Sequence, residues 1–321
     1  MTSRAYDRYR EMIEAGRHMD AAALAEQQYL ADNPGNPFWL IRRASALSRG
    51  GRFQQALECT RQALTLDPAN PYGILEQAEA LKGLKRYEEA MTYYETLVDH
   101  PRMADWVRSN ALRCLEELGQ WDRILEHLDQ WQLPQGVLLQ WRVKALSRQK
   151  RLEPAMEACA QWLAAAPDNR QALWSMTELE IQRDGLEAVI GRMARLAKIA
   201  SRPPIYKEIY ASLCKRAGRA EAALAQYETL ARAKGDPRIL SKQAFALSKA
   251  GRASEAVPLL EELLKLKPGD MFLHASYRKN ITRLNMQDRA LAFYEHLLDL
   301  HPEEKSLYGR IKTMKKTLGA P

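Results

Sequence analysis

The sequence of 321 residues contains only four cysteines, and no two of them form a CxxC pair. This absence excludes zinc-knuckle and thioredoxin-like motifs. The cysteines lie 45 to 55 residues apart at helix positions expected to face the core. We therefore expect free, buried thiols, as in a reducing cytosol.

Long apolar runs are also missing. No window approaches the length of about eighteen apolar residues that a membrane-spanning helix needs. The N-terminal stretch MTSRAYDRYREMIEAG is charged and lacks the apolar centre of a signal peptide. If the chain is full-length, we expect a cytoplasmic protein without a membrane segment.

The familiar catalytic motifs are absent as well. The sequence has no GxxxxGK[ST] phosphate loop, no HExxH metal helix and no GxSxG nucleophile turn. Its six histidines include no pair four residues apart, the spacing that places two ligands on one helix face. We therefore expect no catalytic residue, no metal and no cofactor, and a protein that is not an enzyme.

The composition is that of a folding, soluble chain, with 46% hydrophobic and 27% charged residues. A net charge of +8 is basic, but over this length it falls short of the dense basic patch typical of nucleic-acid binders. Nucleic acid is therefore an unlikely partner on charge alone.

Prolines mark a repeat. Nine of the fifteen prolines recur at intervals of 31 to 36 residues: Pro34, Pro68, Pro101, Pro134, Pro167, Pro203, Pro237, Pro268 and Pro302. Turn residues fall between them at Gly16, Gly51, Lys85, Gly119, Lys150, Asp184, Gly218, Gly251 and Asn285. Each period therefore contains two helices, one on either side of its turn.

The clearest copy of the repeat is GRFQQALECTRQALTLDP, residues 51–68. Gly51 can take the left-handed conformation that ends the preceding helix. Ala56, Thr60 and Ala63 recur at helical spacing and predict a buried face. Pro68 cannot continue the helix and stops it.

Small residues recur at two fixed positions of the period. They are Ala44, Ala78, Ala211 and Ala244 in first helices, and Ala56, Ala90, Ala155, Ala223, Ala256 and Ala290 in second helices. An aromatic residue follows four positions later in three second helices, at Tyr94, Tyr227 and Tyr294. Over nearly the whole chain this pattern resembles the tetratricopeptide repeat family.

The resemblance implies an all-α fold, a right-handed superhelical α-solenoid of about nine helix-turn-helix repeats over residues 1–302. Residues 303–321 read as a C-terminal capping helix that covers the last repeat. Larger residues replace the small one at Leu112, Ile124 and Val189, and Glu180 stands where an apolar residue is expected. We expect a bend near residues 170–204.

The family's members bind proteins or peptides on the concave face lined by their first helices, so the resemblance implies a scaffold or adaptor. Projecting the pattern onto this chain gives the following candidate partner-binding residues: Arg238, Lys242, Phe245, Lys249, Phe272, Lys279, Arg283, Trp106, Trp141 and Trp174. Aromatic residues and arginine dominate interface hot spots. A structural role competes with this interpretation, because cations in the last turn stabilise a helix and the tryptophans can pack between helices.

The projected face is polarised. In the seventh to ninth copies it carries seven basic residues against Glu208 alone, whereas Glu76, Glu79, Glu116 and Glu117 make the third and fourth copies acidic. We expect an acidic segment of a partner to bind the C-terminal half, with Arg238 and Lys242 as its charged contacts. Two alternatives stay open: a regulatory or assembly subunit of an enzyme, envelope-polymer or secretion complex, and a nucleic-acid-binding helical-repeat protein.

Overall fold

The structure is a computed structural model, and it describes residues 3–31, 35–199, 201–234 and 236–319. Pro34, the first of the period-marking prolines, lies outside the described residues, as do the last two residues of the expected capping segment. Nineteen α-helices and no strand occur in the described part of the chain. The expected all-α solenoid is confirmed.

The chain divides into two compact units, Met1–Ala165 and Ala166–Pro321. Unit 1 contains ten helices: α1 (Ser3–Glu14), α2 (His18–Ala31), α3 (Phe38–Arg49), α4 (Phe53–Leu66), α5 (Pro71–Gly83), α6 (Tyr87–Glu95), α7 (Ala104–Glu117), α8 (Trp121–Gln130), α9 (Gln135–Arg148) and α10 (Leu152–Ala165). Consecutive helices pack on one another, and α3 also packs on α5.

Unit 2 contains nine helices: α11 (Arg170–Asp184), α12 (Leu186–Lys198), α13 (Ile205–Arg216), α14 (Ala220–Lys234), α15 (Pro237–Ala250), α16 (Ala253–Leu266), α17 (Met271–Leu284), α18 (Gln287–Leu300) and α19 (Ser306–Leu318). Each helix again packs on the next, and α15 also contacts α17. In both units the odd-numbered helix is the first of its pair.

The turn inside each pair contains one residue with a positive φ. Eight of the nine expected turn residues have a positive φ, among them Lys85 at 60° and Lys150 at 59°. The expectation was wrong by one residue in the sixth pair, where Gly185 has φ +85° and Asp184 is the last residue of α11. Glycine adopts a positive φ without the clash that a Cβ causes. The turn therefore forms at Gly185 and not at Asp184.

Alanines make the close contacts between helices. The four first-helix and six second-helix alanines of the repeat pattern are all buried, and so are Tyr94, Tyr227 and Tyr294. Leu112, Ile124 and Val189, the larger residues at small positions, are buried too. Glu180 is half-buried and pairs with Arg192 of α12, with 2.5 Å between Oε2 and Nη2. The bend expected near residues 170–204 stays a prediction.

The last helix, α19, packs on α18 and buries Leu307 and Met314. Its basic residues Lys315 and Lys316 lie in the last turn, where they complement the negative end of the helix dipole. Whether residues 303–321 act as a cap stays a prediction.

All four cysteines are buried and none of them forms a disulfide, as expected. Burial raises the pKa of the Cys114 thiol to about 11, so this thiol is protonated at neutral pH. In the part of the chain that the structure describes, no helix combines the length and the apolar character needed to cross a membrane.

Candidate functional site

The first helices of unit 2 carry a one-sided charge. The sequences of α15 and α17 contain three basic residues each and no acidic one. In a helical repeat the first helices stand side by side, and α15 does contact α17. We call the residues Lys215, Lys242, Lys249, Lys279 and Arg283 the basic surface of unit 2.

Within the basic surface of unit 2, Lys215 is the residue whose charge is affected by two other lysines. Its side chain is half-buried near the end of α13, and it forms no ion pair with any described residue. Burial lowers the pKa of the Lys215 ammonium, and the neighbouring charges of Lys249 and Lys242 lower it further. The Lys249 Nζ also lies 3.4 Å from the carbonyl oxygen of Lys215. Lys215 and Lys249 therefore lie together without an ion-pair partner among the described residues, and an anion would relieve their repulsion.

Lys242 already has a partner within unit 2. It donates to the carboxylate of Glu208, which is 3% exposed and also accepts from Arg170. Burial alone would raise the pKa of Glu208, but the hydrogen bonds from Arg170 and Lys242 outweigh burial and lower it. The same Lys242 ammonium lies 5.9 Å from the ring centroid of Trp174. The sequence predicted that Lys242 binds an acidic segment of a partner. In the structure the charge of Lys242 is largely balanced by Glu208 inside the protein.

Arg238 also has an internal partner. Asp236 is the N-cap of α15, and its carboxylate accepts from the Arg238 backbone N–H at 2.9 Å and from the guanidinium Nη2 at 2.8 Å. These hydrogen bonds lower the pKa of Asp236. A cation is disfavoured near the start of a helix. Arg238 is nevertheless stable there, because the capping Asp236 pairs with it.

The remaining candidates of unit 2 are divided between solvent and the core. Phe272 is 76% exposed in the first turn of α17, whereas Phe245 is half-buried against the unit 2 core. Lys279 is exposed and forms no ion pair with a described residue. Arg283 donates from Nη1 to the Ser248 carbonyl oxygen at 2.9 Å, near the end of α15. Arg283 therefore complements the dipole of a neighbouring helix as well as that of α17, in whose last turn it lies.

The two tryptophan candidates of unit 1 each face a lysine. Trp106 of α7 is 46% exposed, with the Lys82 Nζ 5.5 Å from its ring centroid. Trp141 of α9 is half-buried against the unit 1 core, and the Lys144 Nζ lies 4.8 Å from its ring centroid. Such cation–π contacts contribute about 0.5–1 kcal/mol at exposed sites. Trp106 is the more accessible of the two.

A cavity of about 680 Å³ lies in unit 1 between α3, α5 and α7, and sequence reasoning missed it. We call it the Glu76 cavity. Its lining includes Ser45, Ser48, Arg49, Glu76, Glu79, Lys82, Arg102 and Trp106. Its volume is within the range of small-molecule and side-chain binding pockets, roughly 300–1,000 Å³. The repeat pattern predicted that Glu76 and Glu79 lie on the concave face. It could not predict a cavity between three helices, because periodicity indicates only the side of a helix on which a residue lies.

Two carboxylates of this cavity differ in their surroundings. Glu79 accepts twice from Lys82 Nζ, at 2.7 Å each, and also accepts from the Tyr94 hydroxyl. Glu76 forms no ion pair with a described residue, and the nearby Ser45 side chain favours its ionised form. Burial raises the pKa of Glu76 to about 7, against the weaker lowering effects of Ser45, Arg49 and Arg42. Glu76 is therefore only partly ionised at neutral pH.

Within the described ranges, no group of three or more histidine, cysteine, aspartate or glutamate side chains is arranged to hold a metal ion. The features that the fold does present are the basic surface of unit 2 and the Glu76 cavity of unit 1. Both involve first helices.

Stacked helix pairs with left-handed turns and alanine contacts define a helical-repeat protein. More specifically, models of the tetratricopeptide repeat match residues 37–70 and 74–99. The chain therefore carries tetratricopeptide repeats in unit 1, and the resemblance noted from the sequence is confirmed. Repeats of this family typically mediate protein–protein interaction.

Solved structures with similar folds share little sequence with this chain. A tetratricopeptide repeat protein from Parabacteroides merdae is 14% identical, covers 87% of this chain and 98% of its own, and has a TM-score of 0.39. Yeast Tom70 is 13% identical, with coverages of 98% and 95% and a TM-score of 0.41. A human IFIT1 dimer with m7Gppp-AAAA is 17% identical, with coverages of 89% and 68% and a TM-score of 0.42. No curated protein sequence matches, and these similarities carry no conclusion about function.

Proposed function

We propose that this protein is a non-catalytic scaffold that binds an acidic segment of a partner protein on the basic surface of unit 2. The observation that carries the proposal is the half-buried Lys215 ammonium, which forms no ion pair with a described residue and has Lys249 as a neighbouring cation. Burying like charges together costs free energy unless an anion joins them. A glutamate or aspartate side chain, or a C-terminal carboxylate, has the required charge and size.

The neighbouring residues suit an extended peptide. Lys279 on α17 supplies a further exposed cation, and Phe272 and Phe245 supply apolar contact in the same two helices. Because α15 and α17 contain no acidic residue, an acidic segment meets no like charge along them. Charge-assisted hydrogen bonds from lysine to carboxylate contribute about 1.5–3 kcal/mol each when water is excluded.

Arg238 and Lys242, the first choices from the sequence, contribute less in this proposal. Asp236 and Glu208 already accept their hydrogen bonds, so a partner carboxylate would have to compete with an internal one. Lys215, Lys249 and Lys279 have no such competitor among the described residues. The three lysines are therefore the main charged contacts, and Arg238 lies at the edge of the site.

The test measures binding of a fluorescein-labelled peptide in which glutamate alternates with leucine. Fluorescence anisotropy compares the unmodified protein with the double variant Lys215→Gln and Lys249→Gln. We expect the Kd to rise at least about tenfold, which corresponds to about 1.4 kcal/mol. The matched control is Lys265→Gln with Lys267→Gln, two exposed lysines at the end of α16 that remove the same charge elsewhere. The control should change the Kd less than about twofold.

Two further probes decide the class of partner. A peptide with glutamine in place of glutamate should bind weakly, and equal binding would contradict the proposal. Unchanged affinity in the Lys215/Lys249 double variant would contradict it as well. Polyuridylate tests the nucleic-acid alternative. If polyuridylate binds more tightly than the acidic peptide and loses affinity by decades between low and physiological salt, the protein binds nucleic acid instead.

A further inference from the structure

We propose that the Glu76 cavity is a second binding site, and that it accepts a lysine or arginine side chain with Glu76 as the counter-ion. This inference rests on the proposed function only in taking the ligand to be part of a peptide. The cavity and the basic surface lie in different units, and the two proposals give them ligands of opposite charge. The two proposals can therefore fail separately.

The first support is the set of groups in the cavity that lack partners. Glu76 is a half-buried carboxylate with no ion pair to a described residue. The Ser48 Oγ is buried, and no described group hydrogen-bonds to it. Both residues line the cavity. A carboxylate and a hydroxyl oxygen accept hydrogen bonds from an ammonium or guanidinium group, which donates several.

The second support is a cation that the same cavity already binds within the protein. Lys82 occupies the neighbouring part of the cavity, where Glu79 accepts from its ammonium at 2.7 Å and Asn110 Oδ1 at 2.9 Å. The Trp106 ring centroid lies 5.5 Å from the same ammonium. This part of the fold therefore already holds one cation with a carboxylate, an amide oxygen and an aromatic face. Glu76 offers the matching carboxylate for a second cation, and Trp106 remains half exposed beside it.

Charged and titratable groups approach Glu76 from several helices. They are Tyr9 of α1, Arg42 and Arg49 of α3, Glu79 of α5 and Tyr94 of α6, with Arg102 in the cavity lining. Arg42 lies over the rings of Tyr6 and Phe38, and Arg49 is exposed in the last turn of α3. In the described part of the chain none of these cations forms an ion pair with Glu76, and burial raises its pKa to about 7.

The arrangement predicts that binding depends on pH. A cationic side chain binds the ionised form of Glu76, so affinity rises as the pH increases through about 7 and levels off above it. The lysine side chain of the ligand stays protonated throughout, because its ordinary pKa is about 10.4. In return, the bound cation lowers the pKa of Glu76.

The experiment uses three small probes: the N-acetyl N-methylamides of lysine, norleucine and glutamate. Binding is followed by the indole N–H resonance of Trp106, which the Trp106→Phe variant assigns, and by the Glu76 carboxyl resonance in a pH titration. We expect the lysine probe to shift both resonances and to lower the pKa of Glu76. The norleucine probe has similar length without charge and should bind at least about tenfold more weakly.

The variant Glu76→Gln should weaken the lysine probe at least about tenfold and remove the pH dependence near 7. The matched control is Glu116→Gln, which removes another half-buried carboxylate of unit 1 that pairs with Lys144 outside the cavity. Tighter binding of the glutamate probe would overturn the proposal, because it would show that Arg49 and Arg102 select anions. Equal binding of norleucine, or an unchanged titration of Glu76 with the lysine probe, would overturn it too.

Discussion

At the scale of single residues, Glu208 shows how unit 2 uses a buried charge. Its carboxylate joins α13 to Arg170 of α11 and Lys242 of α15, and so ties three first helices together. A buried carboxylate without cations would destabilise the fold, and the two basic residues make its ionised form the stable one.

We predict that Glu208→Gln lowers the free energy of unfolding by about 2 kcal/mol at pH 7, below the roughly 3–5 kcal/mol of a fully buried pair, because Arg170 and Lys242 can turn to solvent. The folded-state pKa of Glu208 is lowered, so its contribution is present above the unfolded pKa of about 4.3 and is lost as the pH falls below that value. Urea unfolding at pH 7 and pH 3 measures both effects. A difference between variant and parent that persists unchanged at pH 3 would contradict the ionic explanation.

Part of this pairing could be predicted from the sequence. Glu208 and Lys242 are 34 residues apart, one repeat period, and equivalent positions of neighbouring repeats face each other. Asp236 before Pro237 is likewise a standard N-cap signal and could have explained Arg238. The raised pKa of Glu76 could not be predicted, because it depends on how deeply three helices enclose one side chain.

At the scale of the helix, two glycines have opposite effects on stability. Gly83 is the last residue of α5 and faces the ring of Phe53 at the start of α4, so closely that an added Cβ would clash with it. Gly191 lies inside α12, and a Cβ there would meet no atom within 4 Å. Helix propensity favours alanine at both positions, but space is available at only one of them.

We predict that Gly191→Ala stabilises the protein by about 0.5–1 kcal/mol, as expected for glycine to alanine in a helix. Gly83→Ala should destabilise it by about 1–2 kcal/mol, because Phe53 has to move and overpacking outweighs propensity. Both are measured from the midpoints of urea unfolding. Stabilisation by Gly83→Ala would mean that Phe53 is free to turn away.

The positions of the helices could be predicted because the same sequence pattern recurs in each repeat. Turn residues, core alanines and prolines at the ends of the period recur, and only the sixth turn was misplaced, by one residue. The length of α6 was harder to predict, since its pattern continues to Pro101 whereas the helix ends at Glu95 and turns follow. Periodicity identifies the buried face of a segment but not the residue at which tertiary contacts end the helix.

At the scale of the whole molecule, α19 covers apolar surface of α18 that would otherwise be exposed to solvent. It covers part of α18, and Leu307 is fully buried in the unit 2 core with Leu297 and Tyr294. We predict that deleting residues 303–321 exposes this surface and causes self-association. Light scattering after gel filtration checks the mass. The control is Tyr308→Ser, which changes an exposed residue of the same helix and should leave the mass unchanged.

If the truncated protein stays as monomeric as the intact one, α19 is not a cap. The comparison holds only for folded protein, so circular dichroism of the truncated chain is recorded at the same concentration. The helical signal should fall only by the contribution of the removed helix.

Within each unit, helices contact neighbours that are one or two elements away along the chain. Such local contacts close short loops, and chains dominated by them fold quickly. They also allow folding during synthesis, since domains form from the N-terminus as the chain emerges at about 5–20 residues per second. Each helix pair of unit 1 can pack on the pair before it within seconds of its own translation. The apolar surface that still lacks its partner is therefore confined to the most recently made helix pair.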